Sequence, residues 1–211
     1  MILRSIGILV GLSAIAGGCA PRVTPLEGTP APNRALPSLP LPGVHRQVSF
    51  KWDYEEQSLL THGEGAIRTA SPDSARVDLF LSGGLFIGYA ILIGDSLRGP
   101  RIDQVKRVLP PPAMLWAALG RLAIPALPDT VVRADGDNIQ AEIGRPAAWR
   151  VTIKGTRIMQ LARLNGGRIA EVVTRDDGGR LLYEVPGRRK LWLGIIRDQE
   201  VRPFDATIWT R

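Results

Sequence analysis

The stretch Gln47-Val48-Ser49-Phe50-Lys51-Trp52-Asp53-Tyr54 decides the fold. In an extended chain Val48, Phe50, Trp52 and Tyr54 fall on one side, and Gln47, Ser49, Lys51 and Asp53 on the other. One dry face and one wet face at a period of two predict a half-buried antiparallel strand. Asp53 and Glu55 lie on its wet face, so they read as solvated carboxylates and not as an acid/base pair.

Downstream, the same pattern predicts strands over 62–69, 75–81 and 85–93. The last is apolar on both faces, which points to a central strand covered on both sides. Ser71-Pro72-Asp73-Ser74 and Ser82-Gly83-Gly84 supply the turns between them, by fixing φ or permitting positive φ. Gly63 and Gly65 mark a bend. Helical signal is scarce. Its best piece runs from Pro110 to Gly120, with proline where a first turn tolerates it and a glycine able to close the end. Everything between those ends is apolar, so the helix has no wet face and must be enclosed.

Further strands are predicted over 130–134, 139–143, 148–154, 158–164, 168–174, 181–185, 191–196 and 206–209, separated by Gly-rich turns. The fold class is therefore mainly β (α+β). About ten strands form a single strongly curved antiparallel sheet, with one or two short helices. This domain spans 46–211, long enough for a sizeable core.

Upstream, residues 1–18 carry one positive charge at Arg4, a short apolar core and small residues before Gly17-Gly18-Cys19. These are the parts of an export signal, and about a dozen apolar residues are too few for a membrane span. Ala16-Gly17-Gly18-Cys19 resembles the lipobox of bacterial lipoproteins, with Ala16 where that motif more often has Leu. The resemblance implies cleavage before Cys19 and its acylation by chains of the palmitate kind, giving more than one acyl anchor in the membrane. An ordinary secreted protein with a free cysteine is the competing reading. Ala20 lacks the Asp that commonly retains such lipoproteins at the inner membrane, so the resemblance points to the outer membrane and a periplasm-facing domain. Residues 19–45 then form a lipidated, Pro-rich tether, read as a semi-rigid spacer.

Cys19 is the only cysteine of the chain, so an internal disulfide is excluded and the core alone must stabilise the fold. The net charge is +7, from 27 Lys and Arg against 20 Asp and Glu. From Arg145 to Arg211 the chain holds 14 basic and 7 acidic residues, a basic half able to face anionic headgroups or simply water. The export signal, and the lack of basic clusters interleaved with aromatics, argue against nucleic acid.

Two histidines, His45 and His62, and no unacylated cysteine argue against a zinc site. No nucleophile elbow or His-Glu-x-x-His pair is present, so no enzyme, metal or cofactor is expected. Asp135-Gly136-Asp137-Asn138 lacks the ligand spacing of a calcium loop and reads as a turn. Arg188-Arg189-Lys190 reads as a basic hairpin tip.

The order of parts resembles the LolA/LolB-like lipoprotein-carrier superfamily. Ser71 through Leu85, followed by Ala90-Ile91-Leu92-Ile93-Gly94-Asp95, is similar to that family's Pro-containing hairpin, Arg-bearing strand, Gly-rich loop and Gly-Asp turn. Leu115 through Pro125 resembles its cavity helix and exit, and Val151 through Thr174 its later hairpins. The resemblance implies that the curved sheet is an incomplete β-barrel enclosing one or two short helices and an apolar cavity for acyl chains. Its candidate lining is Phe50, Trp52, Leu79, Leu81, Leu92, Met114, Trp116, Leu119, Val151 and Ile153, each of which reads equally as ordinary core. Leu85 and Phe86 fall where the family's receptor branch carries an exposed apolar loop, though without the Pro often found there. They read otherwise as the first buried residues of a strand.

The expected function is an anchored lipoprotein that binds an acyl chain, lipid or lipoprotein in transport to the outer membrane, acting as a monomer. The competing expectation is a structural or assembly lipoprotein with a packed interior, binding an envelope protein through residues such as Leu85 and Phe86.

Overall fold

The computed structural model describes residues 20–125 and 127–210. The expected signal peptide and Cys19 lie outside the described residues. In chain order the elements are β1 (Thr29–Pro30), β2 (Arg46–Glu56), β3 (Leu59–Ala70), β4 (Ser74–Leu81), β5 (Phe86–Ile93), β6 (Ser96–Arg98), α1 (Ile102–Val108) and α2 (Pro112–Ala118). They continue with β7 (Thr130–Asp135), β8 (Asn138–Ile143), β9 (Trp149–Lys154), β10 (Arg157–Asn165), β11 (Arg168–Arg175), β12 (Leu181–Val185) and β13 (Arg189–Glu200).

All thirteen described strands join one antiparallel sheet, ordered β1-β7-β8-β9-β10-β11-β12-β13-β2-β3-β4-β5-β6. The long β13–β2 ladder, from Arg189↔Glu56 to Glu200↔Arg46, joins the two ends of the chain, and the sheet stays unclosed with β1 and β6 as its edges. This is the single antiparallel sheet expected from the period-two pattern, left open as the incomplete barrel that the resemblance implied.

Along β2, Phe50, Trp52 and Tyr54 are buried and Lys51 and Asp53 exposed, as the alternation requires. Their inward face joins one apolar cluster with Val77, Leu79, Leu92, Val151, Ile153 and the whole apolar run of α2. Each large side chain taken fully out of water contributes about 1.5–3 kcal/mol. The two glycines of β3 make that packing feasible. A Cβ at Gly63 would stand 1.9 Å from the Phe80 carbonyl oxygen and 2.8 Å from the Trp52 ring, and one at Gly65 2.3 Å from the Phe50 ring. Close approach, more than bending, demands glycine there. Trp52 is further fixed by its indole N–H, which donates to the Glu64 carbonyl at 3.0 Å.

Helix α1 has no counterpart in the sequence reading. It is seven residues long with only Val105 fully buried, too short for a period to stand out. Val105 docks on Gly88, where a Cβ would come within 3.1 Å of its methyl group. β5 is not central, as its two apolar faces suggested, but lies beside the three-residue edge strand β6. Its outer face is covered from β4: the Arg76 guanidinium lies 3.9 Å over the Tyr89 ring and donates to the Ile208 carbonyl.

Residues Ala206–Trp209 form a 3-10 turn in place of the expected strand. The Asp205 carboxylate caps it, accepting from the Thr207 N–H at 2.8 Å. Such a local side-chain bond offers the backbone an alternative to a ladder. Donation from the Thr207 hydroxyl, and then from its N–H, holds the Asp205 carboxyl below its ordinary value.

The segment expected as a spacer packs on the domain instead. The Arg168 guanidinium donates to the Ala20 carbonyl, the Ile169 N–H to the Pro21 carbonyl and the Val23 N–H to the Gly167 carbonyl. Thr29 and Pro30 pair with β7 at the sheet edge, where a missing proline N–H is tolerated. Leu39 and Leu41 then enter the core, and the Leu122 N–H donates to the Leu39 carbonyl. Apolar residues between the prolines are what convert a spacer into a strap.

Candidate functional site

A cleft of about 910 Å³ opens between α2, the segment after it and the inner face of β9–β11. One wall is Pro111, Pro112, Ala113 and Trp116, and another is Arg121 with Leu122, Ala123, Ile124 and Pro125. Its floor is a single cross-strand row, since Trp149 pairs with Arg163 and Arg163 with Glu171. The volume falls within the roughly 300–1,000 Å³ of small-molecule sites.

The C-terminus of α2 sets the second wall. Gly120, at φ +89°, turns the chain. Its N–H donates to the Ala117 carbonyl at 3.1 Å and that of Arg121 to the Trp116 carbonyl at 2.9 Å. These are the two bonds of a Schellman motif, which sequence reading anticipated only as a closing glycine. The reversal lays the Arg121 guanidinium over the Trp116 ring, 4.7 Å from its centre. Trp116 cannot rotate away, because its indole N–H donates to the Gly94 carbonyl at 2.6 Å.

The floor is tied down by an ion pair. Glu171 is buried, yet Arg163 donates to one of its oxygens at 2.5 Å and the Tyr183 hydroxyl to the other at 2.8 Å. Arg189 donates to the Tyr183 oxygen at 3.0 Å and to the Arg107 carbonyl at 2.6 Å, carrying the network to the end of α1. Burial, reinforced by Glu171, pushes the Tyr183 phenol far above its ordinary value, so it stays a donor. A carboxylate satisfied at both oxygens tolerates burial at modest cost.

The ten predicted lining residues divide. Trp116 lines this cleft. Phe50 and Leu119 border a separate pocket of about 120 Å³ near Leu41 and Arg175, whose guanidinium donates to the Ala118 carbonyl at the end of α2. Leu81 borders a groove beside the loop of Ser82, Gly83 and Gly84. Trp52, Leu79, Leu92, Met114, Val151 and Ile153 are sealed in the core and border none of the described pockets. Leu85, on the β4–β5 turn, and Phe86, the first residue of β5, are exposed and not buried, and Leu59 and Leu60 are exposed beyond the β2–β3 turn.

Sequence reading missed Arg121, Trp149, Arg163 and Glu171. One signal was available. In β10 and β11, Arg163 and Glu171 share the inward phase of Leu161 and Val173, and opposite charges on the apolar phase of adjacent strands mark an inward ion pair. Among the described residues no group of three or more His, Cys, Asp or Glu could hold a metal, and no helix is long and apolar enough to cross a membrane.

No protein-family model and no curated protein sequence matches the chain. Among solved structures, a LolA superfamily protein from Nitrosomonas europaea aligns with a TM-score of 0.53 at 11% identity, over 82% of this chain and 92% of that one. A candidate outer-membrane lipoprotein-sorting protein domain from Vibrio parahaemolyticus aligns at 0.49 and 6%, over 80% and 90%. A DUF1329 family protein from Desulfovibrio piger aligns at 0.41 and 5%, over 79% and 90%. The first of these shows that this chain has the open-barrel fold of the LolA superfamily, the fold its sequence motifs resembled.

Proposed function

We propose that this protein is an envelope lipoprotein that carries an acyl chain or lipid in the cleft between α2 and the inner face of β9–β11, in transport toward the outer membrane. The observation that carries the reading is the cleft itself, wide enough for an alkyl chain and walled by Ala113, Trp116, Leu122, Ile124 and Trp149. Burying a chain there is worth about 0.8 kcal/mol per methylene and needs no catalytic group. The LolA-type fold supports it, as do the lipobox-like Ala16-Gly17-Gly18-Cys19 and the export signal before it. Acylation of Cys19 would place the domain at the membrane, with the exposed Leu85 and Phe86 available to touch it.

Native mass spectrometry tests this on the chain from Ala20 onward, which carries every described element, purified without detergent. Co-purifying phospholipid or fatty acid near one per chain is the expected result. A clean mass with no uptake of added lipid overturns it.

A second reading has its own observation. Six of the ten expected lining residues are packed together in the core, which suits an assembly lipoprotein whose exposed Leu59, Leu60, Leu85 and Phe86 meet a protein partner. A lipid-free chain that pairs in solution with an envelope protein through that end would favour it.

A further inference from the structure

The carrier reading leaves the ligand's polar end open, and the inference below rests on that reading. Among the described residues, the Arg121 Nη1 is a buried side-chain nitrogen with no hydrogen-bond partner. A guanidinium donor withdrawn from water and left unpaired is costly, so something with an acceptor is expected beside it. Two independent features hold it in place: the Schellman turn at Gly120 and the stacking on Trp116, itself tied to Gly94. The other charges of the cleft are arranged differently. Arg163 and Glu171 neutralise each other within the floor, and Asp95 lies on the wall beside Gly94. Among the described residues, Arg121 is therefore the cleft's one cation without an acid partner, at the edge of an otherwise apolar wall formed by residues 122–125.

We infer that Arg121 is a head-group site, so that the ligand class is an amphiphile with an anionic head, carboxylate or phosphate, and a single alkyl chain lying over Trp116 and Trp149. A guanidinium presents paired donors to either oxyanion, and a dry setting strengthens the contact. A neutral alcohol or ester head would leave the charge uncompensated.

The test compares dodecyl probes below their micellar concentrations at pH 8, laurate, dodecyl phosphate and dodecanol, by calorimetric titration of the chain from Ala20 onward. Both anions are expected to bind about tenfold more tightly than dodecanol, the scale of one charge-assisted hydrogen bond. Arg121→Gln is expected to erase that preference while leaving dodecanol binding in place, and Arg121→Lys to retain part of it. Preference for dodecyl phosphate would assign a phospholipid source, and preference for laurate a free fatty acid; either supports the site. Equal affinity for all three heads in the unaltered chain overturns the head-group assignment and leaves the carrier reading standing. No binding of any probe overturns the carrier reading itself. Should Arg121→Gln melt early, the head-group series on the unaltered chain decides alone.

Discussion

Through β2–β5 the inward face of the sheet is filled, whereas across β9–β11 it is filled by Val151, Ile153, Leu161 and Val173 and held open at one end. In the first region Phe50 and Trp52 lie flat over Gly65 and Gly63, and Leu79 and Leu92 close what remains. Ring over glycine leaves only the small pocket of about 120 Å³ beside Phe50. In the second region the inward phase carries Trp149, Arg163 and Glu171 in one row. An ion pair cannot be covered by helix side chains without its remaining donors losing water, so space persists above it. One sheet thus supports a core and a cleft because the inward phase changes chemistry midway.

The largest test of that contrast is Gly63→Ala. Its Cβ would meet a backbone carbonyl that cannot yield, and a loss of about 3 kcal/mol or more is expected in chemical denaturation; a shift below about 1 kcal/mol would mean the rings are not seated as described. Met114→Ala should cost about 3 kcal/mol by the same assay, yet leave lipid uptake unchanged. Uptake that rises with the lost volume would instead show the two regions to be one cavity.

Glu171→Gln removes the floor's negative charge and leaves the Arg163 cation and Tyr183 facing an amide. About 2 kcal/mol is expected, less than for a fully buried pair because Arg163 is half exposed. Tyr183→Phe removes the hydrogen bond donated to Glu171 and the one accepted from Arg189, together worth about 1–2 kcal/mol near neutrality, and changes the alkaline limb of stability. The folded phenol is raised above its ordinary value of 10.0, so its contribution is full below that pH and is lost as pH rises above it. Urea melts from pH 8 to 11 should therefore fall less steeply in Tyr183→Phe than in the unaltered chain. The smallest effect belongs to the double change Leu85→Ser and Phe86→Ser, which should move stability by less than about 0.5 kcal/mol because both are already exposed.

The filled region was far more legible in the sequence than the open one. Val48 through Tyr54 announce their strand and its buried face through simple alternation, and the apolar run of α2 announces its enclosure. The cleft depends on features that alternation hides. Arg163 and Glu171 look like surface residues until their strands are registered, and Arg121 acquires its place only through the αL turn at Gly120. Short, locally capped pieces were hidden too: α1 lacks a full apolar stripe, and residues Ala206–Trp209 follow the Asp205 cap in preference to their strand-like composition. The fold and its core could be inferred from pattern, whereas the site is built by contacts between patterns.

The strap formed by residues 20–41 has a mechanical consequence. Tension applied at Ala20 is borne first by the bonds to Arg168, Ile169 and Gly167, at the turn between β10 and β11 and a few residues from the floor of the cleft. Only after these part, and then β1 unzips from β7, would the load reach Leu39 and Leu41. A pull at Ala20 is therefore delivered to the sheet along a short line, at the rim that holds the cleft, before any of it reaches the core.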